Sequence, residues 1–202
     1  TKIFTNHKIE VLPNGFNHLD LQYNKKKNSL DESLFRNKKT IVFFSRIDRK
    51  KNLHKLIEVL GKYNLIIIGD KSDQDYFNSL NFKNDNISYL GPIYDKPLLK
   101  DIFKKCSFLC LPSQFENFAN CIIDSINMNC PVLISENVGL KDEIINFKFG
   151  NVFKGKITHS DLDLMFDNCV KYRNNILKNK NNFLNKFDWS NINNKFIDLI
   201  KE

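Results

Sequence analysis

The sequence predicts an α/β domain built on a doubly wound parallel sheet with helices on both faces. Short apolar runs recur along the chain, and segments with helical spacing of apolar residues separate them. Strands that are apolar throughout are typical of parallel sheets whose two faces are both buried. Helical connections of about ten to fifteen residues between such strands favour repeated strand–helix–strand units. The 202 residues fit one domain of this class.

The predicted strands are short runs of apolar residues that end at a turn signal. They cover residues 9–12, 40–45, 65–68, 87–90, 108–111 and 131–135, with an edge strand at 151–153. The helices predicted from a period of 3.6 residues cover 53–60, 73–80, 97–105, 118–128, 140–145, 160–175 and 190–201. Asn52 is the expected cap of the first of these helices.

The segment between the first two predicted strands differs in composition from the rest of the chain. Residues 20–38 are polar and rich in Lys and Asn. We therefore interpret residues 1–39 as an initial strand with a polar linker, and residues 40–202 as the α/β domain with its C-terminal helices. The chain begins at Thr1 instead of Met, so we expect it to be part of a longer protein.

The charge of the chain is basic, with 31 Lys and Arg against 23 Asp and Glu, a formal net charge of +8. Such an excess is compatible with a phosphorylated ligand, nucleic acid or anionic lipid. Lys is spread along the chain, and no helix-turn-helix or ribonucleoprotein motif occurs, so we do not expect nucleic-acid binding. The apolar runs are far shorter than the ~18 residues of a membrane span, and no signal-peptide pattern opens the chain.

The cysteines and histidines do not have the spacing of a metal site. The five cysteines are odd in number and contain no Cys-x-x-Cys pair, and the four histidines are scattered. Free thiols in a reducing cytoplasm fit this pattern best. We expect no bound metal and a cytoplasmic location.

The first candidate site follows the strand at 40–45. In an open parallel sheet, ligands bind beyond the carboxyl ends of the strands. Here Arg46, Arg49, Lys50 and Lys51 place four cations within six residues, between a strand end and a helix start. Such a loop can hold a diphosphate, because Arg offers a forked donor and Lys a point charge. A solvated basic turn explains the same residues equally well.

The second candidate site follows the strand at 108–111. We expect Asn117 to cap the next helix, which would leave the backbone amides of Phe118, Ala119 and Asn120 free to bind a phosphate. Glu116 precedes this helix and Asp124 lies in it. The simpler interpretation is that Glu116 interacts with the helix dipole and that Asp124 is a surface acid.

Several segments, taken in chain order, match one set of motifs. With the pattern that each resembles, they are residues 9–15 (V-I-P-N-G), 45–51 (G-R-L-x-x-x-K-G), 65–70 (L-x-I-x-G-x-G), 87–91 (V-x-F-L-G), 111–118 (P-S-x-x-E-x-F-G), 131–135 (P-V-I-A-S), 143–145 (E-I-I) and 187–189 (F-S-W). The chain thus resembles the C-terminal, nucleotide-sugar-binding half of the group 1 (family 4) retaining glycosyltransferases. The resemblance implies a Rossmann-like sheet forming one half of a GT-B fold.

The resemblance also implies roles for individual residues. Arg46 and Lys51 would hold the diphosphate and stabilise the departing nucleotide together with the amides of 118–120, without a divalent metal or other cofactor. Glu116 would contact the donor sugar as a catalytic residue, and Asp124 the ribose. The base, in a UDP or GDP donor, would lie near four residues that follow neighbouring strands: Gly69, Asp70, Gly91 and Ile93.

The resemblance implies a metal-independent hexosyltransferase that transfers sugar with retention to a glycan or lipid-linked acceptor. Its partners would be the nucleotide-sugar and an N-terminal GT-B domain of the same protein, without which this chain would be inactive. The acceptor implies contact with anionic membrane at its inner face.

Among the departures from the family pattern, Ala119 in place of Gly is a mild change. Asp124 keeps an alternative open, because it stands where the family has Glu and its side chain is one methylene shorter. A non-catalytic nucleotide-binding or interaction module is therefore the alternative function. A dinucleotide site for NAD is disfavoured, because no Gly-x-Gly-x-x-Gly follows a strand.

Overall fold

The computed structural model describes residues 12–16, 31–35, 39–82 and 84–201. Its centre is a six-stranded parallel sheet with the strand order β3-β2-β1-β4-β5-β6. The strands are β1 (Thr40–Phe44), β2 (Asn64–Ile68), β3 (Ile87–Tyr89), β4 (Phe108–Leu111), β5 (Val132–Ser135) and β6 (Gly150–Phe153). The predicted fold class is confirmed, and β6 lies at the edge of the sheet, as predicted.

Helices connect successive strands and follow the last one. They are α1 (Leu53–Val59), α2 (Gln74–Ser79), α3 (Lys96–Lys105), α4 (Asn120–Asn127), α5 (Lys141–Phe147), α6 (His159–Asn185) and α7 (Trp189–Lys201). Short polar side chains begin several of them. Asp73 accepts from Tyr76 N, Asp95 accepts from Leu98 N, and Thr158 accepts from Asp161 N at the respective helix starts.

The two faces of the sheet carry separate apolar clusters, because successive residues of a strand point to opposite sides. Val42 and Leu109 belong to one cluster, and Ile41 and Phe108 to the other. All four side chains are fully buried. The same pairs are in register where β1 and β4 meet, since Ile41 is opposite Phe108 and Val42 opposite Leu109. Burial on both faces explains why the strand sequences do not alternate.

The strand order places a switch point between β1 and β4. From β1 the chain winds outward through β2 and β3, and from β4 it winds in the other direction through β5 and β6. Consecutive helices on either side of such a point leave a crevice at the carboxyl ends of the two strands. The segments that follow β1 and β4 are therefore brought together at one place.

Helix α6 is longer than the sequence predicts. The sequence pattern predicts that the helix ends at Asn175, but it continues to Asn185. After Asn175 the sequence is rich in Lys and Asn, so the few apolar residues that stabilise the second half of α6 do not form a clear helical pattern. Ile176 and Phe183 are fully buried there, and Phe183 makes edge-on ring contacts with Phe149 and Phe187 at centroid distances of 5.5 and 5.2 Å. Tertiary packing thus outweighs a weak local helix propensity.

The start of helix α1 also differs from the prediction. Asn52 precedes the helix, but its backbone is left-handed, with φ 53°, and its side chain does not cap the helix. Its amide instead donates to the carbonyl of Pro112 at 3.0 Å. Asn tolerates this backbone region better than most residues, so a side chain expected to start a helix is used to connect the segments that follow β1 and β4.

The segment before the sheet packs against the end of the chain. The predicted strand at 9–12 lies outside the described residues except for Leu12, which is not in a strand. Phe16 forms a parallel bridge with Asp188 and donates its N–H to Phe187 O. A Cβ placed on Gly15 would lie 2.1 Å from the Trp189 ring. Gly15 therefore allows the ring to lie directly against the backbone.

Within the predicted polar linker, Glu32–Phe35 forms a 3-10 helix. Leu34 and Phe35 of this turn pack against the apolar cluster on one face of the sheet. Among the described residues, the helices are too short or too polar to span a membrane.

Candidate functional site

The basic loop after β1 is fixed by one buried apolar side chain and one cap. Ile47 is fully buried, and its N–H donates to Asp70 O at 2.8 Å. The carboxylate of Asp48 accepts from Lys50 N at 3.0 Å and begins a 3-10 turn, Arg49–Lys51. These contacts leave Arg46 exposed, whereas the Lys51 side chain points inward with only 12% exposure.

The loop after β4 is bonded to the basic loop and to β5. Gln114 N donates to Lys50 O at 2.7 Å, beside the Asn52–Pro112 hydrogen bond. Ser135 Oγ donates to Ser113 O at 2.6 Å. Both segments therefore have fixed backbones at the carboxyl edge of the sheet, and their side chains face a common space.

Lys51 and Glu116 form an ion pair in this space. Ser113 Oγ is 3.5 Å from the same Oε1 of Glu116 that contacts Lys51. Burial lowers the pKa of the Lys51 ammonium, with Arg46 also acting in that direction. An anion stabilises the charged form of a partly buried cation that lies near a second cation, and a bound diphosphate would supply that anion.

A groove of about 300 Å³ joins the two loops. Its lining combines three cations, two carboxylates, two amides and two aromatic rings. The lining residues are Asn14, Arg46, Asp48, Lys50, Lys51, Phe115, Glu116, Asn117 and Phe118. The structure thus brings Arg46, Lys51, Glu116 and Phe118 of the sequence-derived site to one groove.

The start of helix α4 differs from the prediction. The helix begins at Asn120 with Ala119 as its N-cap, and Asn117 does not cap it. Glu116 forms a bridge with Val138 and bonds through its N–H and C=O to Asn137 and Gly139. This pairing keeps the chain extended at that point, so the helix begins later.

The amides of 118–120 consequently differ from one another in their setting. Phe118 precedes the helix and its ring contacts Phe187 at a centroid distance of 5.5 Å. Ala119 is 4% exposed, and Asn120 is the first helical residue and exposed. The unpaired amides of a helix are those of its first turn, which here begins at Asn120.

Asp124 lies in α4 outside the groove lining. Burial raises the pKa of its carboxyl to about 6, and Lys96 opposes this shift. Lys96 is the first residue of α3, so the start of that helix lies near the carboxylate. Such a carboxyl is about half protonated near pH 6, unlike that of a fully solvated Asp.

Four predicted base-binding residues follow the strands on one side of β1, at the same edge of the sheet. Gly69 and Asp70 follow β2, and Gly91 and Ile93 follow β3. Gly69 N donates to Gly91 O at 3.0 Å. A Cβ on Gly69 would lie 1.8 Å from Ser45 O, so glycine permits close approach of the neighbouring strand ends. Asp70 is exposed, and none of the four residues lines the groove.

The groove contains residues that the sequence analysis did not assign to the site. Asn14 and Phe115 line it. Pro13-Asn14-Gly15 carries a turn signal and belongs to a segment that resembles the family pattern, but no local pattern connects it with residues about a hundred positions later. Phe115 is 64% exposed, which the sequence of a loop does not reveal.

Metal-ligating side chains are dispersed in the described part of the chain, and two of its thiols have raised pKa values. It contains no cluster of three or more His, Cys, Asp or Glu side chains arranged to hold a metal ion. Burial raises the pKa of the Cys121 and Cys130 thiols to about 12. Such thiols stay protonated near neutral pH and are poor nucleophiles.

Comparison with known proteins adds to this geometry. A family model described as "Glycosyl transferases group 1" matches residues 24–182. The chain is 24% identical over 215 residues to an uncharacterized glycosyltransferase of Methanocaldococcus jannaschii, covering 96% of this chain and 54% of that protein. It is 26% identical over 212 residues to a probable sucrose-phosphate synthase of Thermosipho melanesiensis, covering 96% and 48%.

Solved structures match the fold. The crystal structure of the Anabaena protein HepE in complex with UDP-glucose superimposes with a TM-score of 0.63 at 20% identity, covering 83% of this chain and 50% of HepE. The chain thus spans about half the length of the curated relatives and of this structure. The fold is that of one half of a GT-B glycosyltransferase, as the sequence predicted.

Proposed function

The chain belongs to the group 1 glycosyl transferases, and from that membership we propose that it is the half of a retaining glycosyltransferase that binds the nucleotide-diphosphate sugar. The observation that carries this proposal is the groove at the β1–β4 switch point, where Arg46 and Lys51 face Glu116. Cations and a carboxylate in one groove suit a ligand that joins an anionic diphosphate to a sugar rich in hydroxyl groups.

We assign the roles from the geometry and the family resemblance together. Arg46 and Lys51 bind the diphosphate, assisted by backbone N–H groups of residues 118–120. Glu116 accepts hydrogen bonds from the donor sugar, and Asp124 from the ribose. The base lies beyond the ends of β2 and β3, against Gly69, Asp70, Gly91 and Ile93. The crystal structure of HepE is a complex with UDP-glucose, which supports UDP as the first nucleotide to test.

Binding must first rearrange the Lys51–Glu116 pair. A diphosphate that approaches Lys51 competes with the Glu116 carboxylate for the same ammonium, and the freed carboxylate can then contact the sugar. In the transfer, the bond from the anomeric carbon to the diphosphate oxygen breaks, a bond to the acceptor oxygen forms on the same face, and the proton of the acceptor hydroxyl passes to the leaving diphosphate. Arg46 and Lys51 stabilise the charge that collects on the leaving nucleotide diphosphate.

We propose that the complete enzyme acts at the cytoplasmic side of the membrane on a glycan or lipid-linked acceptor, with a second GT-B domain supplying the acceptor pocket. The net charge of +8 supports contact with anionic lipid. Co-sedimentation with vesicles that rises with their anionic lipid content is the expected result. Equal sedimentation with neutral vesicles would contradict the membrane proposal.

Calorimetric titration of the chain with UDP, GDP, UDP-glucose and GDP-mannose tests the donor site. We expect binding to one nucleotide family and little or no sugar transfer by this chain alone. A folded chain that binds none of the four contradicts the proposal. Parallel titration with NAD separates a dinucleotide site from the proposed one.

A second candidate is a non-catalytic nucleotide-binding module. The observation that favours it is Asp124, whose side chain is one methylene shorter than the Glu of the family pattern and which does not line the groove. Sugar transfer by the complete, unaltered protein discriminates the two functions, because transfer excludes the module. Nucleotide binding without transfer supports the module, and Asp124→Glu should then bind the nucleotide more tightly.

A further inference from the structure

Asn14 lines the groove although it precedes the first strand of the sheet in the sequence. It lines the same groove as Arg46, Lys51 and Glu116, and its side chain is exposed. The basic side chains are suited to phosphate, and Glu116 can only accept hydrogen bonds when ionised. The two amides of the lining, Asn14 and Asn117, are different, because an amide offers both a donor and an acceptor, as a sugar hydroxyl requires.

The position of Asn14 is set by contacts with the end of the chain. The adjacent Gly15 lies against the Trp189 ring, where a Cβ would be 2.1 Å from Cδ2. Phe16 N donates to Phe187 O, and Phe16 bridges to Asp188. The segment Phe187–Trp189 therefore fixes the residues that immediately follow Asn14.

The same segment also contacts a second lining residue of the groove. The Phe187 ring contacts Phe118, a groove residue, at a centroid distance of 5.5 Å. Phe187 is 3% exposed, and Phe183 of α6 packs against it edge-on at 5.2 Å. The segment Phe187–Trp189, where α6 ends and α7 begins, thus contacts the surroundings of both Asn14 and Phe118, although both are far from it in the sequence.

We propose that Asn14 binds a hydroxyl of the donor sugar and that Trp189 is its positioning residue. This inference rests on the proposed donor site and names a further residue for it. Because the amide is neutral, it contributes little to the binding of the diphosphate itself. Asn14 therefore distinguishes a nucleotide-sugar from the nucleotide diphosphate, a distinction that the cations of the groove do not make.

The test compares UDP-glucose with UDP, or GDP-mannose with GDP if the chain prefers guanosine, by calorimetry. For Asn14→Ala we expect about a three- to tenfold loss of affinity for the nucleotide-sugar, the effect of one neutral hydrogen bond, and less than about a twofold change for the nucleotide. Asn182→Ala, a change of the same kind at an exposed position of α6, is the control and should alter neither.

Trp189→Ala tests the positioning role. It should reproduce the selective loss for the nucleotide-sugar, and the double variant with Asn14→Ala should lose no more than either single variant, since both remove one contact. Phe196→Ala, another half-exposed aromatic of α7, is the control. If Trp189→Ala does not fold, the affinities for nucleotide-sugar and nucleotide are compared in Trp189→Phe, where we expect the same selective loss but a smaller one.

The outcomes separate this inference from the proposed function. If the unaltered chain binds neither nucleotide nor nucleotide-sugar, the donor site itself is wrong. If it binds both and Asn14→Ala changes neither affinity, or weakens both equally, the assignment of Asn14 to the sugar is overturned while the donor site stands. Additive losses in the double variant overturn the role of Trp189 alone.

Discussion

Lys51 and Glu116 lie 65 positions apart in the sequence and form an ion pair where the segments following β1 and β4 meet. Each side chain is largely withdrawn from solvent, with 12% and 16% exposure. In the proposed function both members of this pair bind the donor, one its diphosphate and the other its sugar. The pair therefore represents the ligand-free state of the site, and several measurements follow from it.

Removing a groove cation should weaken diphosphate binding. We expect Arg46→Ala and Lys51→Ala each to reduce the affinity for UDP or GDP by roughly 1.5–3 kcal/mol, because a charge-assisted contact is lost. Lys154→Ala removes the same charge from an exposed position beyond β6 and should have little effect. Calorimetric titration measures all three, and unchanged affinity in both groove variants would remove the proposed diphosphate site.

Removing the negative charge of Glu116 should have the opposite effect on the nucleotide diphosphate. In Glu116→Gln, Lys51 no longer has a carboxylate partner, so we expect UDP affinity to rise by about threefold. The gain should be smaller for UDP-glucose, because the carboxylate is then also missing from the sugar contact. A loss of UDP affinity as large as that of Lys51→Ala would show that Glu116 does not compete with the ligand.

Asp124 should make the stability of the fold depend on pH. Its carboxyl has a pKa of about 6 in the folded chain, above the ~3.9 of an unfolded Asp. The folded state therefore binds more protons between these values, and the free energy of unfolding falls as the pH rises through this window. Asp124→Asn should remove that slope and be more stable than the unaltered chain at pH 7 by up to about 2 kcal/mol.

Urea unfolding at pH 4, 5, 6 and 7 measures this effect. Asp167→Asn, at an exposed position of α6, serves as the control. Parallel stability curves for the unaltered chain and Asp124→Asn would show that Asp124 titrates as an ordinary surface acid.

The second half of α6 should contribute strongly to stability. Phe183 is fully buried and touches Phe147, Phe149 and Phe187. Phe183→Ala should lower the free energy of unfolding by about 3–5 kcal/mol, the cost of a cavity in an aromatic cluster. Leu177→Ala, on the exposed side of the same helix at 57% exposure, should cost less than about 0.5 kcal/mol. Similar losses for the two variants would contradict the observed helix.

Local sequence pattern was sufficient for most of the sheet and several helices. Strands β1 to β6 occur within about one residue of their predicted bounds, because a short apolar run flanked by Gly, Pro or polar residues is typical of a buried strand.

The predictions failed where a long-range contact overrides a local signal. Asn117 carries a capping side chain, but the bridge from Glu116 to Val138 delays the helix. Helix α6 continues past Asn175 because Ile176 and Phe183 are buried.

The candidate site was predicted in two halves, and the structure shows their relation. Arg46 and Lys51 were expected at one strand end, and Glu116 and Phe118 at another. That both strand ends border one groove depends on β1 and β4 being neighbours. Asn14 illustrates the limit of the sequence, because its place in the groove depends on the Gly15–Trp189 contact between the two ends of the chain.

By itself the sequence determined the strands, their turns, the alternation with helices and the chemistry available at each strand end. These follow from burial of apolar residues and from backbone preferences, which act over a few residues. Only the tertiary structure decided which strand ends are adjacent, which carboxylate pairs with Lys51, and which surface the first and last segments share. Those relations depend on packing between residues far apart in the chain, and no local pattern encodes them.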